Sequence, residues 1–92
     1  MITIPRHPKF LEWSEQSYSD TTFPCVICGK PIKNDKVRYR VCVDNGGEKL
    51  LTPQEAKEHP ERVEQLGMWP IGSGCSKDHP ELKEYLVVEG EQ

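Results

Sequence analysis

Cys25-Val-Ile-Cys28-Gly29 and Cys75-Ser-Lys-Asp-His79, with 46 residues between Cys28 and Cys75, decide how this chain is read. Two cysteines spaced by two residues can chelate one ion from a single turn. Cys75 and His79 stand at i and i+4, which helical or turn geometry brings onto one side. The four side chains can close one tetrahedral site, with one Zn²⁺ per chain. Three thiolates and an imidazole leave no open position for water, so the expected role of the ion is structural. Cys42 and His59 are the rival ligands: Cys42 lies in a predicted strand near the first pair, and His59 precedes a proline between two helical pieces. His7 has no partner pattern.

Outward from Gly29, Val37-Arg-Tyr-Arg-Val-Cys-Val43 alternates. Val37, Tyr39, Val41 and Val43 fall on one face, and Arg38, Arg40 and Cys42 on the other. Asp44-Asn-Gly-Gly47 supplies residues that tolerate positive φ, which predicts a hairpin returning through Glu48 to Leu51. Thr52-Pro53-Gln54-Glu55 combines an N-cap, a proline at the first helical position and a capping-box glutamate, so a short helix starts there and ends at His59-Pro60. A further turn or two is expected over Glu61 to Leu66, ending at Gly67. The apolar run Met68-Trp69-Pro70-Ile71 then leads to Cys75. Asp78 and Glu81 with Pro80 predict a last helix over His79 to Val87, its stripe formed by Leu82, Tyr85 and Leu86. The prolines of residues 1–22 give that stretch the character of an extended arm anchored by Phe10, Leu11, Trp13 and Tyr18, ahead of a domain over 23–92. No internal repeat or low-complexity tract is read.

This order resembles a treble-clef zinc finger: a knuckle at Cys25–Cys28, a hairpin around Val37 to Leu51, and a terminal helical segment with Cys75 and His79. The resemblance implies that knuckle and helix start each give two ligands, here Cys25 with Cys28 and Cys75 with His79. Two departures stand out, a long hairpin-to-helix connection and a last pair spaced by three residues where two is common. Cys-Gly-Lys-Pro-Ile, the Gly-Gly hairpin and Trp-Pro-Ile-Gly also look like small uncharacterised zinc proteins of bacteria and their phages, which offer no activity to transfer. The fold class expected is small α+β, zinc-stabilised and treble-clef-like, with short helices.

A chain of 92 residues with 35% hydrophobic residues and 8 prolines makes one small domain that needs a staple. No run approaches the roughly 18 apolar residues of a membrane span, and Pro5, His7 and Pro8 stand where a signal peptide has its apolar stretch. A cytoplasmic protein is expected, and there Cys-x-x-Cys is metal-binding or redox-active more often than disulfide-bonded. The 15 acids outnumber the 12 bases for a net charge of −3. With three thiolates and Zn²⁺ the charge becomes about −4, which disfavours general phosphate binding. Even so, Lys30, Lys33, Lys36, Arg38 and Arg40 fall within eleven residues, while Glu55 to Glu64 and the tail from Glu81 to Glu91 are acidic.

The function expected is therefore noncatalytic: a zinc-held module for protein–protein contact or self-association. Trp13, Met68 and Trp69 would form its apolar patch and the basic residues a second surface. Nucleic-acid binding through the basic hairpin region is the alternative. An enzyme is disfavoured. Metal-dependent nuclease chemistry needs a histidine beyond the zinc ligands in a suitable motif, and redox chemistry at Cys25 and Cys28 lacks the βαβ context. No small-molecule substrate or membrane contact is indicated.

Overall fold

The structure is a computed structural model that describes residues 1–88. In chain order the elements are β1 (Ile2–Thr3), α1 (Phe10–Glu15), β2 (Thr22–Pro24), β3 (Pro31–Lys33), β4 (Tyr39–Asp44), β5 (Lys49–Leu51), α2 (Pro53–Glu58), β6 (Val63–Ile71), α3 (Ser73–Asp78) and β7 (Val87–Val88). Single 3₁₀ stretches lie at Asn34–Lys36, Pro60–Arg62 and Pro80–Tyr85. The result is a small mixed α+β domain. The end of the acidic tail, past Val88, lies outside the described residues.

The alternating segment becomes β4, the centre of the larger sheet. Val41 and Val43 are fully buried, and β4 pairs with β5 in the register Cys42↔Leu51 and Val43↔Leu50. The return turn closes through the Gly47 N–H, which donates to Asp44 O at 2.8 Å, with Gly47 at φ +73°. A two-stranded hairpin is marginal alone and leaves open edges. Here β1 covers the free edge of β5 (Ile2↔Leu50), and β6 lies on the opposite side of β4 (Tyr39↔Ile71, Val41↔Trp69). β7 adds its two residues beside Tyr39 and Arg40.

Two predicted helices take other forms, the first of them because of this pairing. Of the turn or two expected over Glu61 to Leu66, only the 3₁₀ turn at Pro60–Arg62 forms, and the chain then enters β6 at Val63, opposite Asp44. Between the pairs Cys42↔Met68 and Asp44↔Val63, β6 advances five residues while β4 advances two, so three extra residues bulge out. Gly67, at φ +76°, lies in that bulge and caps no helix. The edge of β4 needed a partner, and its backbone hydrogen bonds outweigh the weak helical propensity of a few residues. The helix expected over His79 to Val87 is likewise replaced. α3 starts earlier and stops at Asp78, since Pro80 disfavours helical geometry at His79, whose φ and ψ are −124° and 71°. The 3₁₀ stretch that follows buries Leu82 and Tyr85, whose spacing of three suits three residues per turn.

The first 22 residues contain a strand and a helix. Ile4 and Phe10 are buried in one core with Val26, Ile27, Val41, Val43, Leu50, Ile71 and Leu82, while Leu11 and Tyr18 are exposed. Among the described residues no helix is long and apolar enough to cross a membrane.

Candidate metal centre

β2 and β3 pair from Thr22↔Lys33 to Pro24↔Pro31 and present Cys25 to Gly29 as the tight turn between them. Gly29 N–H donates to Cys25 O at 2.9 Å, and Cys25 N–H donates to Lys30 O at 2.9 Å. Gly29 stands at φ +79°, and a Cβ there would lie 2.7 Å from Phe10 O and 2.9 Å from Ser14 N. Only glycine fits this position, because α1 presses its backbone onto the turn. The turn is held further by His7 N–H to Ile27 O (2.8 Å), Val26 N–H to Pro70 O (3.0 Å) and the Ser17 hydroxyl to Gly29 O (2.6 Å).

β6 delivers the chain to α3, and Cys75, its third residue, meets the turn. The Sγ atoms of Cys25, Cys28 and Cys75 all lie within 4.8 Å of one another. Three sulfurs bound to one tetrahedral Zn²⁺ at about 2.3 Å stand about 3.8 Å apart, so the cluster closes on an ion with shifts of about 1 Å or less. Backbone donors already point at the deepest sulfur: Ile27 N–H at 3.4 Å and Gly72 N–H at 3.2 Å from Cys25 Sγ. Burial, and then the neighbouring sulfurs of Cys25 and Cys28, push the Cys75 thiol far above its ordinary value. A divalent metal among the three sulfurs would supply the positive charge that thiolate ligands gathered this closely need. The donor set therefore fits zinc.

The cluster takes three of the four expected ligands. His79 is not among the groups within 4.8 Å. Its backbone N–H closes α3 on Cys75 O at 3.1 Å, and its ring turns to Glu81, with Nδ1 3.2 Å from Oε2. His59 stands in the same relation to Glu61 at 3.4 Å. Cys42 is buried on β4 opposite Leu51 and Met68 and outside the cluster, and burial raises its pKa.

An open cavity of about 630 Å³ lies over the sulfurs. Lys30, Lys33, Lys36 and Arg38 line it, so four of the five expected basic residues gather beside the cluster; Arg40 is half-buried on β4. Trp13 lines it too, with Lys30 Nζ 5.0 Å from its ring and His7 stacked on it at 4.6 Å. Of the residues expected to form an apolar patch, Trp13 alone lines this cavity. Trp69 is 9% exposed, stacks edge-on against Phe23 at 4.9 Å, and donates its indole N–H to Glu64 at 2.9 Å; Met68 is half-buried.

Sequence reading missed two groups at this cavity, His7 and Asp78. Nothing in the sequence marks His7, which reaches the site only because the N-terminal stretch folds back on the turn. Asp78 carried a readable signal, a carboxylate three residues after Cys75. Comparison with protein-family models, curated proteins and solved structures found no match to this chain.

Proposed function

We propose that this protein is a noncatalytic zinc-clamped binding module of treble-clef type, carrying one Zn²⁺ per chain. The observation that carries the reading is the convergence of three sulfurs, from Cys25, Cys28 and Cys75, within 4.8 Å. Two come from the turn between β2 and β3, and the third comes from α3 across the core. An ion there joins the two ends of a domain whose own core is small. Cys25, only 1% exposed, suits a buried ligand better than a redox nucleophile, which needs access to its substrate. The order of turn, hairpin and helix supports the treble-clef assignment.

The role is to present the basic cavity to an acidic segment of a protein partner in the cytoplasm. Four cations converge there on a chain that is acidic overall, so the attraction is local and oriented. Trp13 beside Lys30 favours a second reading, single-stranded nucleic acid with a base stacked on the indole.

Native mass spectrometry with and without chelator tests the module. One zinc per chain, lost together with compactness, is the expected result. A compact metal-free chain would refute the clamp. Fluorescence anisotropy with labelled oligoglutamate and oligothymidylate over a salt series then separates the partners. Stronger binding of the peptide supports the first reading, and stronger binding of the oligonucleotide replaces it with the second.

A further inference from the structure

We infer that Asp78, and not His79, supplies the fourth ligand of the metal, an inference that rests on the three-thiolate centre proposed above. Cys75 and Asp78 are three residues apart on α3, hence neighbours on one helix face, and both line the cavity that holds Cys25 and Cys28. Neither the Asp78 carboxylate nor the His79 ring lies within the 4.8 Å group. They differ in what each must do to join it. Asp78 lines the cavity, and its carboxylate has no hydrogen-bond or ion-pair partner among the described residues, so no contact has to be broken for it to turn toward the sulfurs. His79 does not line the cavity; its Nδ1 contact with Glu81 leaves Nε2 able to ligate, so it is position that sets it apart from Asp78.

The arrangement at His79 also has an explanation unrelated to metal. Lys57-Glu58-His59-Pro60-Glu61 recurs as Lys77-Asp78-His79-Pro80-Glu81, and at both places histidine ends a helix with Nδ1 facing the glutamate two residues on. At His59 the same geometry forms away from the cluster. His7, the other candidate at the cavity, accepts the Lys9 N–H at Nδ1, which leaves the proton of its neutral ring on Nε2 and no free lone pair for an ion. Charge favours the carboxylate as well. A centre of three thiolates, one carboxylate and Zn²⁺ carries a formal charge of −2, and Lys30, Lys33, Lys36 and Arg38 line its cavity.

Cobalt titration of the full-length reduced chain tests this, because Co²⁺ bound by thiolates absorbs in the near ultraviolet in proportion to the number of Co–S bonds. The wild type should show three such bonds in a tetrahedral spectrum. Asp78→Ala and the isosteric Asp78→Asn should weaken Co²⁺ about tenfold or more, the order expected when a group that shapes a metal site is lost. Asp78→Cys should raise the near-ultraviolet intensity by about a third, from three sulfurs to four. His79→Ala should leave affinity and spectrum unchanged. Loss of affinity in His79→Ala with wild-type behaviour in Asp78→Ala overturns the inference, as does indifference to both, which would place solvent in the fourth position. A wild type without Co–S absorption would instead refute the zinc centre itself.

Discussion

α2 and α3 are two copies of one local unit, 20 residues apart, and they differ in what stands at the third helical position. Each has six helical residues. In each, the N–H after the helix returns to the third-position carbonyl (His59 to Glu55, 2.8 Å; His79 to Cys75, 3.1 Å), and His-Pro-Glu starts a 3₁₀ stretch. In α2 the third residue is Glu55, which accepts the Thr52 N–H at 3.0 Å while the Thr52 hydroxyl accepts the Glu55 N–H at 3.1 Å. The Met1 ammonium completes the charge balance at 2.9 Å. In α3 the third residue is Cys75. The N-cap is Gly72, with no side chain to offer, and its N–H goes to Cys25 Sγ. One unit closes its N-terminus with its own carboxylate and a nearby ammonium; the other does so with a thiol from across the molecule and a site for a metal ion. The same backbone pattern thus serves a self-contained cap in one place and a tertiary clamp in the other.

Breaking the clamp should have the largest effect. Cys75→Ser should abolish zinc binding and cost several kcal/mol, since metal affinity in such domains is folding free energy; circular dichroism melting with zinc present measures it. Full retention of the melting temperature would show that α3 needs no more help than α2. Next comes Gly29→Ala, at about 2–4 kcal/mol, from the left-handed backbone together with collision against α1. Gly47→Ala, with positive φ but no atom within 4 Å of the added Cβ, should cost only about 1–2 kcal/mol. Equal denaturation midpoints for the two would refute the contact.

At the caps the contrast becomes finer. Thr52→Ala should lose about 1 kcal/mol. Gly72→Ala should stay within about 0.5 kcal/mol, because its φ of −66° suits any residue and its Cβ would meet Cys25 Sγ at an ordinary 3.7 Å. Urea denaturation of the zinc-loaded proteins checks the pair. Glu55 adds a pH signature. The Thr52 N–H, followed by the N-terminal ammonium, holds its carboxyl down at about 2 against an ordinary 4.5. A depressed folded-state pKa contributes stability that is fully present above about 4.5 and fades as pH falls toward 2. The difference in melting temperature between wild type and Glu55→Gln should therefore shrink over that window; a constant difference would remove Glu55 from the acid response. Smallest of all, His59→Ala and His79→Ala should each change stability by no more than about 0.5 kcal/mol, as exposed pairs do. Unequal effects would mean that His79 does more than end its helix.

Legibility followed how far each interaction reaches along the chain. The capping box at Thr52, the glycine turn at Gly47 and the strand character of β4 depend on neighbours within a few residues and are readable, whereas the expected alternation is overridden, since Val41, Cys42 and Val43 are all buried. β6 is not legible in the sequence because its pairing with β4 joins residues 19 to 32 positions apart, and Gly67 resembles a cap because a bulge asks for the same positive φ. The repeat is faint in the sequence because its members share only Lys, His, Pro and Glu while the third helical position changes from Glu55 to Cys75. At the site, Cys25, Cys28 and the distant Cys75 are the three expected residues whose sulfurs converge. His7, His79 and Asp78 could not be ranked from spacing, since i+3 and i+4 are both near neighbours on a helix.

The sequence by itself determined the cysteine pattern able to hold a metal, the β4 hairpin, the helix at Thr52 and the glycine after the second cysteine, because cysteine spacing, strand propensity and φ preference are local properties. Tertiary structure alone decided that the N-terminal residues close the sheet and press on the metal-binding turn, that the lysines and Trp13 share one cavity with the sulfurs, and that His79 stands outside the cluster. Those outcomes depend on which surfaces bury against each other, and burial joins residues whose separation along the chain carries no signal.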